Sequence, residues 1–192
     1  MMSQPRTMKQ LFNRDKIILD LCGGTGAWSR PYAEAGYDVR VITWPDDVRL
    51  YEKPKKQIYG ILIATPCTQF AASGARWWKD KGTKPLLEGL SINDACLRIV
   101  LISEPVFWCL ENPVGRLRRW LGQPVMYFNP CDYGDPYTKK TALWGNFNIP
   151  GKNPVEPTRG SKMHLISPCE NRQELRSITP PGFSRAFFEA NK

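Results

Sequence analysis

Lys16-Ile-Ile-Leu-Asp-Leu-Cys-Gly-Gly-Thr-Gly26 is the stretch from which the fold can be read. Residues 16–22 form a short apolar run that stops at a glycine cluster, the pattern of a buried strand. Gly23, Gly24 and Gly26 then predict a tight turn in which the backbone can approach a ligand closely. Residues 27–36 suit a helix closed by Gly36.

Outward from this unit, strands and helices alternate. Residues 37–43 (YDVRVIT) and 58–64 (IYGILIA) read as strands, and 65–85 as a loop rich in charge. Residues 86–103 carry helical periodicity through Leu86, Leu90, Leu97 and Val100. Residues 106–110 (VFWCL) read as a strand and 114–121 as a short basic helix. A Pro-rich segment follows, then a strand candidate at 141–147 (TALWGNF) and a final amphipathic helix over 183–191. This order predicts an α/β fold with a mostly parallel sheet and helices on both faces. In such sheets ligands bind outside the carboxyl ends of the strands. The glycine turn, the Pro66-Cys67 dipeptide and Glu111-Asn112-Pro113 all fall at such ends.

Composition narrows the function. The 192 residues suit one domain; 42% are hydrophobic and 23% charged, an ordinary globular balance. The net charge of +9 fits a polyanionic partner such as DNA or RNA. The N-terminus lacks the apolar core of a signal peptide, and no apolar run approaches a membrane span. Six scattered cysteines without a CxxC pair predict a reduced, cytoplasmic protein with no metal site. The single histidine, His164, sits in a polar stretch and reads as a surface residue. Its solitude disfavours His-dependent triads and multi-His metal centres.

Four elements could carry chemistry. The turn after Asp20 does not have GxGxxG spacing, which disfavours a dinucleotide site. A helix N-terminus beyond it could receive a carboxylate. Cys67 lies on a loop after a strand, and the cations Arg76, Lys79 and Lys81 downstream could lower its pKa. Taken alone, Cys67 reads first as a small buried residue, the usual fate of a free cysteine. Glu111 at a crevice rim could have a raised pKa and share a proton with a heterocycle nitrogen; Glu111-Asn112 could equally be a helix N-cap. Lys139 and Lys140 could meet phosphates or a base edge, or simply be solvated.

Together these residues resemble the cytosine-5 DNA methyltransferase family. DLCGGTGAWS (residues 20–29) is similar to its DxFxGxG cofactor motif, TPCTQFA (65–71) to PPCQxFS, and LENP (110–113) to the ENV motif. YGDPYTKKTALWGN (133–146) resembles GVPQxRxRxxxVG, and TPPGFSRAFFEA (179–190) the last, PP-initiated helix. The order is the family's, and Cys67 and Glu111 stand 44 residues apart. The resemblance implies a Rossmann-like class I fold that uses S-adenosylmethionine. It implies cofactor contacts at Asp20, Cys22, Gly23, Gly24, Gly26, Trp28, Trp44, Asp47 and Pro66. It implies Cys67 as nucleophile on cytosine C6, Glu111 at N3, and Lys139 holding the pyrimidine. The base would have to be flipped from a duplex or be unpaired.

Several positions depart from the family. Cys22 replaces a phenylalanine. Thr43-Trp44 stands where an acidic ribose ligand is expected, so Asp46 or Asp47 takes that role and Trp44 packs on the adenine. Thr65 and Thr68 replace Pro and Gln, and Lys139 and Thr141 replace two arginines, whose bidentate fork lysine lacks. Residues 147–178, a 32-residue insert with four prolines, stand in place of a target-recognition domain. The chain reads as one catalytic domain of a compact, phage-type form. The partner expected is DNA, with RNA or a nucleotide as alternatives. A catalytically silent nucleic-acid-binding relative is a further reading, which retention of Cys67 and Glu111 disfavours. An adenine-N6 enzyme is disfavoured by the lack of a [DNS]PP[YFW] tetrapeptide. The 65–85 loop, with Gly74 and Gly82, is expected to close over substrate.

Overall fold

The computed structural model describes residues 12–161 and 172–192. His164 and Cys169 therefore lie outside the described residues. Six strands form one sheet: β1 (Ile17–Leu21), β2 (Asp38–Ile42), β3 (Ile58–Ile63), β4 (Phe107–Pro113), β5 (Met126–Phe128) and β6 (Thr141–Asn146), in the order β2-β1-β3-β4-β6-β5. The β1–β2, β1–β3 and β3–β4 pairings are parallel; β6 runs antiparallel to both β4 and β5. The helices are α1 (Arg30–Glu34), α2 (Trp78–Lys81), α3 (Lys84–Ser103), α4 (Arg118–Leu121), α5 (Arg172–Ser177) and α6 (Pro181–Ala190).

Side-chain alternation along the strands divides the core into two layers. Ile17, Leu19, Leu21, Ile61, Ile63, Leu110 and Trp144 face α3, where they meet Ala95, Cys96 and Ile99. Ile18, Leu62, Cys109 and Leu143 face the opposite way, toward α1 and α6. That second layer is largely aromatic. Phe183 of α6 stacks on Phe128 at 3.9 Å and packs against Trp28, Tyr133 and Phe187. Tyr32 of α1 meets Phe107 and Phe188 and donates its hydroxyl to the Asn191 carbonyl at 3.3 Å. The central strands are apolar toward both layers, which is why they read as continuous hydrophobic runs.

The expected α/β plan is borne out, with local corrections. Strand β4 does not stop at Leu110 but runs through Glu111 and Asn112 to Pro113, which faces Thr141 of β6. The helix N-cap reading of Glu111-Asn112 is thereby overturned; the polar end of the strand is held by its partner, not by its own apolarity. The 65–85 segment is not an open loop. It contains a 3₁₀ stretch over Ala72–Trp77 followed by α2. Strand β5 lies within the Pro-rich segment, where three residues are too few to show a period, and α5 lies within the 147–178 insert. Among the described residues no helix is long and apolar enough to cross a membrane, and no group of three or more His, Cys, Asp or Glu side chains could hold a metal ion.

Phe183 is fully buried between two layers of rings. Phe183→Ala should destabilise the protein by about 3–5 kcal/mol, the usual cost of an emptied aromatic site. Urea denaturation measures this; a loss below about 1 kcal/mol would mean that α6 does not seal the sheet.

Candidate active site

The chain leaves β1 toward β2 on one side and later returns to place β3 on the other. In open α/β sheets such a reversal marks the place of a binding crevice, here the carboxyl ends of β1 and β3. The glycine turn rises from one strand and Thr65-Pro66-Cys67 from the other. Because β3 and β4 are parallel, with Ile63 beside Leu110, Glu111 emerges at the same rim. Because β6 is antiparallel, its beginning lies there too, and brings Lys139 two residues ahead of Thr141.

Under the turn, the Asp20 side chain is fully buried and accepts a 2.5 Å hydrogen bond from the Ser29 hydroxyl. Its Oδ1 has no hydrogen-bond partner among the described residues. A Cβ at Gly23 would stand 2.3 Å from the Asp20 carboxyl carbon, so only glycine allows the turn to close over this carboxylate. Burial outweighs the Ser29 hydrogen bonds and lifts the Asp20 pKa to about 6.

The other residues of the implied cofactor set are differently placed. Cys22 has left-handed backbone (φ 58°), and its side chain packs into the α3-side core, with its thiol hydrogen-bonded to Cys96. The Trp28 ring is buried against Phe183 and Phe187. The side chains of Cys22 and Trp28 thus belong to the core, and the crevice is left their backbone. Gly24 faces open space, and Gly26 begins the path into α1. Trp44, just after β2, is 86% exposed, and Pro66 is exposed. Asp47 caps the 3₁₀ turn Val48–Leu50 and is gripped by Arg49 at 2.6 Å, which holds its pKa at about 2. Arg49 also reaches Glu88 at 2.6 Å, pinning this segment to α3.

A buried polar chain ties the Cys67 loop to its neighbours. Asn112 Nδ2 donates to the Thr65 carbonyl at 3.1 Å, and the Thr65 hydroxyl donates to Asn93 Oδ1 at 2.9 Å. Asn93 in turn donates to the Gly89 carbonyl within α3 at 2.8 Å. Downstream, Ala72 N–H donates to the Val114 carbonyl, Arg116 N–H to the Phe70 carbonyl, and Arg116 Nε to the Gln69 carbonyl at 2.7 Å. A Cβ at Gly115 would lie 1.8 Å from the Phe70 carbonyl oxygen, so this docking requires glycine. The segment after Cys67 is therefore strapped onto residues 114–116.

Cys67 and Glu111 are both half-buried and share one electrostatic environment. Burial raises the Cys67 pKa and the charge of Glu111 raises it further; Lys139, and then Arg176, oppose them. Burial likewise raises Glu111, again opposed by Lys139. Two sequence expectations are corrected. The thiol pKa is raised, not lowered, and the cations that act on it are Lys139 and Arg176, not Arg76, Lys79 and Lys81. Lys81 instead donates to the Thr68 carbonyl at 3.2 Å. Arg176 escaped the sequence reading because it is over a hundred residues from Cys67 in a segment without periodicity. Asn93 had a visible signal: a polar residue on the apolar stripe of α3.

No model of a known protein family matches the chain, and no curated protein matches its sequence. Among solved structures, it is similar to a "putative DNA modification methyltransferase encoded within prophage" of E. coli, with TM-score 0.48 and 20% identity over 73% of this chain. The chain spans about half, 53%, of the length of that protein.

Two titrations probe the site. Folded Asp20 binds its proton more tightly than the unfolded chain does, so its ionisation makes stability fall as pH rises from 3.8 to about 6. Asp20→Asn should abolish that part of the pH dependence in urea melts between about pH 4 and about pH 7; an unchanged profile would place the carboxylate in water. Alkylation of Cys67, followed by peptide mass spectrometry, should have its midpoint above that of an ordinary thiol. Glu111→Gln should move the midpoint down and Lys139→Ala should move it up. Midpoints insensitive to both substitutions would separate the three side chains.

Proposed function

We propose that this protein transfers a methyl group from S-adenosylmethionine to C5 of cytosine in DNA, with Cys67 as the covalent nucleophile. The observation that carries this reading is that parallel β4 and antiparallel β6 bring Glu111 and Lys139 to the carboxyl edge from which Cys67 leaves β3. A Rossmann-like class I methyltransferase fold, one catalytic domain over the whole chain and a short 147–178 insert in place of a target-recognition domain belong to the same proposal.

The residues around the first crevice suit the cofactor. Gly24 leaves an open backbone shelf, Trp44 offers an exposed ring for an adenine face, and the Asp20 carboxylate beneath the turn has an unmatched oxygen. When bound, the cofactor supplies an electrophilic methyl group. Asp20, Gly23, Gly24, Gly26, Trp44 and Pro66 are the proposed contacts. Cys22 and Trp28 would contribute through backbone, and Asp47 while still paired with Arg49.

Cytosine is too weakly nucleophilic at C5 to be methylated unaided. The Cys67 thiolate adds to C6, and the electron pair of the C5–C6 bond moves to C5. Glu111, whose pKa burial raises above the ordinary carboxylate value, shares a proton with N3 and limits the charge built up in the ring. When Glu111 carries its proton, its charge no longer opposes ionisation of Cys67. C5 takes the methyl group; loss of the C5 proton to water, departure of the Cys67 sulfur and return of the N3 proton to Glu111 restore the aromatic ring. Lys139 holds the pyrimidine with a single ammonium.

Covalent trapping tests this. DNA carrying 5-fluorocytosine has no C5 proton to lose, so the adduct should persist through denaturation. It should require both S-adenosylmethionine and Cys67, and Glu111→Gln should slow its formation by about 10²-fold to 10⁴-fold. An adduct with 5-fluorocytosine RNA alone would transfer the chemistry to RNA. No adduct with either would sink the cytosine-5 mechanism.

A further inference from the structure

We infer that the surface beside the Cys67 loop binds single-stranded nucleic acid by stacking unpaired bases on Trp77 and Trp120. This rests on the proposed function only in taking the Cys67 crevice as the place the strand leads to. Both indoles are large apolar groups left in water, Trp77 46% and Trp120 43% exposed. Each is held in place from one side. The Arg76 guanidinium lies 3.9 Å from the Trp77 ring centroid, and Trp120 meets the buried Phe70 edge-on at 6.2 Å.

The two indoles stand on neighbouring elements. Trp78, next to Trp77, lies under the Arg116 guanidinium at 4.4 Å, and Arg116 precedes α4, which carries Trp120. The whole surface is joined to the nucleophile loop. Arg116 Nε holds the Gln69 carbonyl and Lys81 Nζ the Thr68 carbonyl, two residues and one residue beyond Cys67. Lys79, Arg118 and Arg119 are exposed within two residues of Trp77 or Trp120 in sequence, and Asp80 is the one acid in residues 72–81 and 114–121.

Aromatic faces interleaved with cations favour an unpaired strand: phosphates meet the charges and bases meet the rings. In a duplex the base faces are covered by their neighbours, so flat exposed indoles would find nothing to stack on. A membrane surface would also attract cations and tryptophans, but it gives no reason for a position against the Cys67 loop.

The test uses the full chain without cofactor and a fluorescent oligo-dT 20-mer, which contains no cytosine. Anisotropy should show tighter binding to the single strand than to the same strand annealed to oligo-dA. Trp77→Ala and Trp120→Ala should each weaken single-strand binding by about tenfold while changing duplex binding by less than about twofold. Trp77→Phe should restore most of the loss, and oligo-dT should quench the intrinsic tryptophan fluorescence of the unaltered protein. The last measurement does not depend on whether the alanine variants fold. Unchanged affinity in folded alanine variants, an equal loss for single strand and duplex, absence of quenching, or anionic phosphatidylserine vesicles competing as well as oligo-dT would each overturn the proposal. Because oligo-dT cannot be methylated at cytosine, failure of the trapping experiment with intact stacking would remove the methyl-transfer reading alone.

Discussion

The parallel ladder between β1 and β3 is the constraint on which the rest of the molecule depends. It joins Ile17–Leu21 to Ile58–Ile63 at the centre of the sheet, although the chain between them has gone out to β2 and back. The connections on its two sides leave in opposite directions, so the loops at the top of β1 and β3 part and leave a crevice. Every candidate residue is placed relative to this gap. The glycine turn closes over Asp20 on one lip, and Thr65-Pro66-Cys67 leads away from the other.

The antiparallel strand β6 adds what the four parallel strands could not. A parallel strand brings only its carboxyl end to the functional edge, whereas β6 brings its beginning, and with it Lys139. A cation thus enters an edge already holding a half-buried thiol and a half-buried carboxyl. The outcome is a balance: burial raises both Cys67 and Glu111, their mutual repulsion raises the thiol further, and Lys139 counters both effects. Buried acids, thiols and amines arranged this way favour proton sharing over permanent charge.

The two faces of the sheet do different work. The aromatic layer under α1 and α6 ties the chain's end to its beginning, since Tyr32 and Phe188 meet edge to face and Tyr32 bonds to Asn191. The α3 layer supports the site. Asn93 spends its amide group inside the helix and its carbonyl oxygen on Thr65, so the helix holds the Cys67 loop through a hydrogen bond where the resembled family has a proline. The strap formed by Ala72, Val114 and Arg116 fixes the other end of that loop.

By itself the sequence determined the alternation of strands and helices, the two-sided burial of the central strands, and the placing of the glycine turn and Cys67 at strand ends. Those features come from local periodicity and from glycine's lack of a side chain, which neighbouring residues alone can express. Only the tertiary structure decided that β4 continues through Glu111-Asn112-Pro113, that β5 exists, and that Lys139 and Arg176 act on Cys67 in place of the nearer Arg76, Lys79 and Lys81. It also decided that Cys22 and Trp28 turn their side chains into the core. These are matters of pairing, packing and through-space charge between residues tens to more than a hundred positions apart. Such energies depend on distance in space and leave no period in the chain.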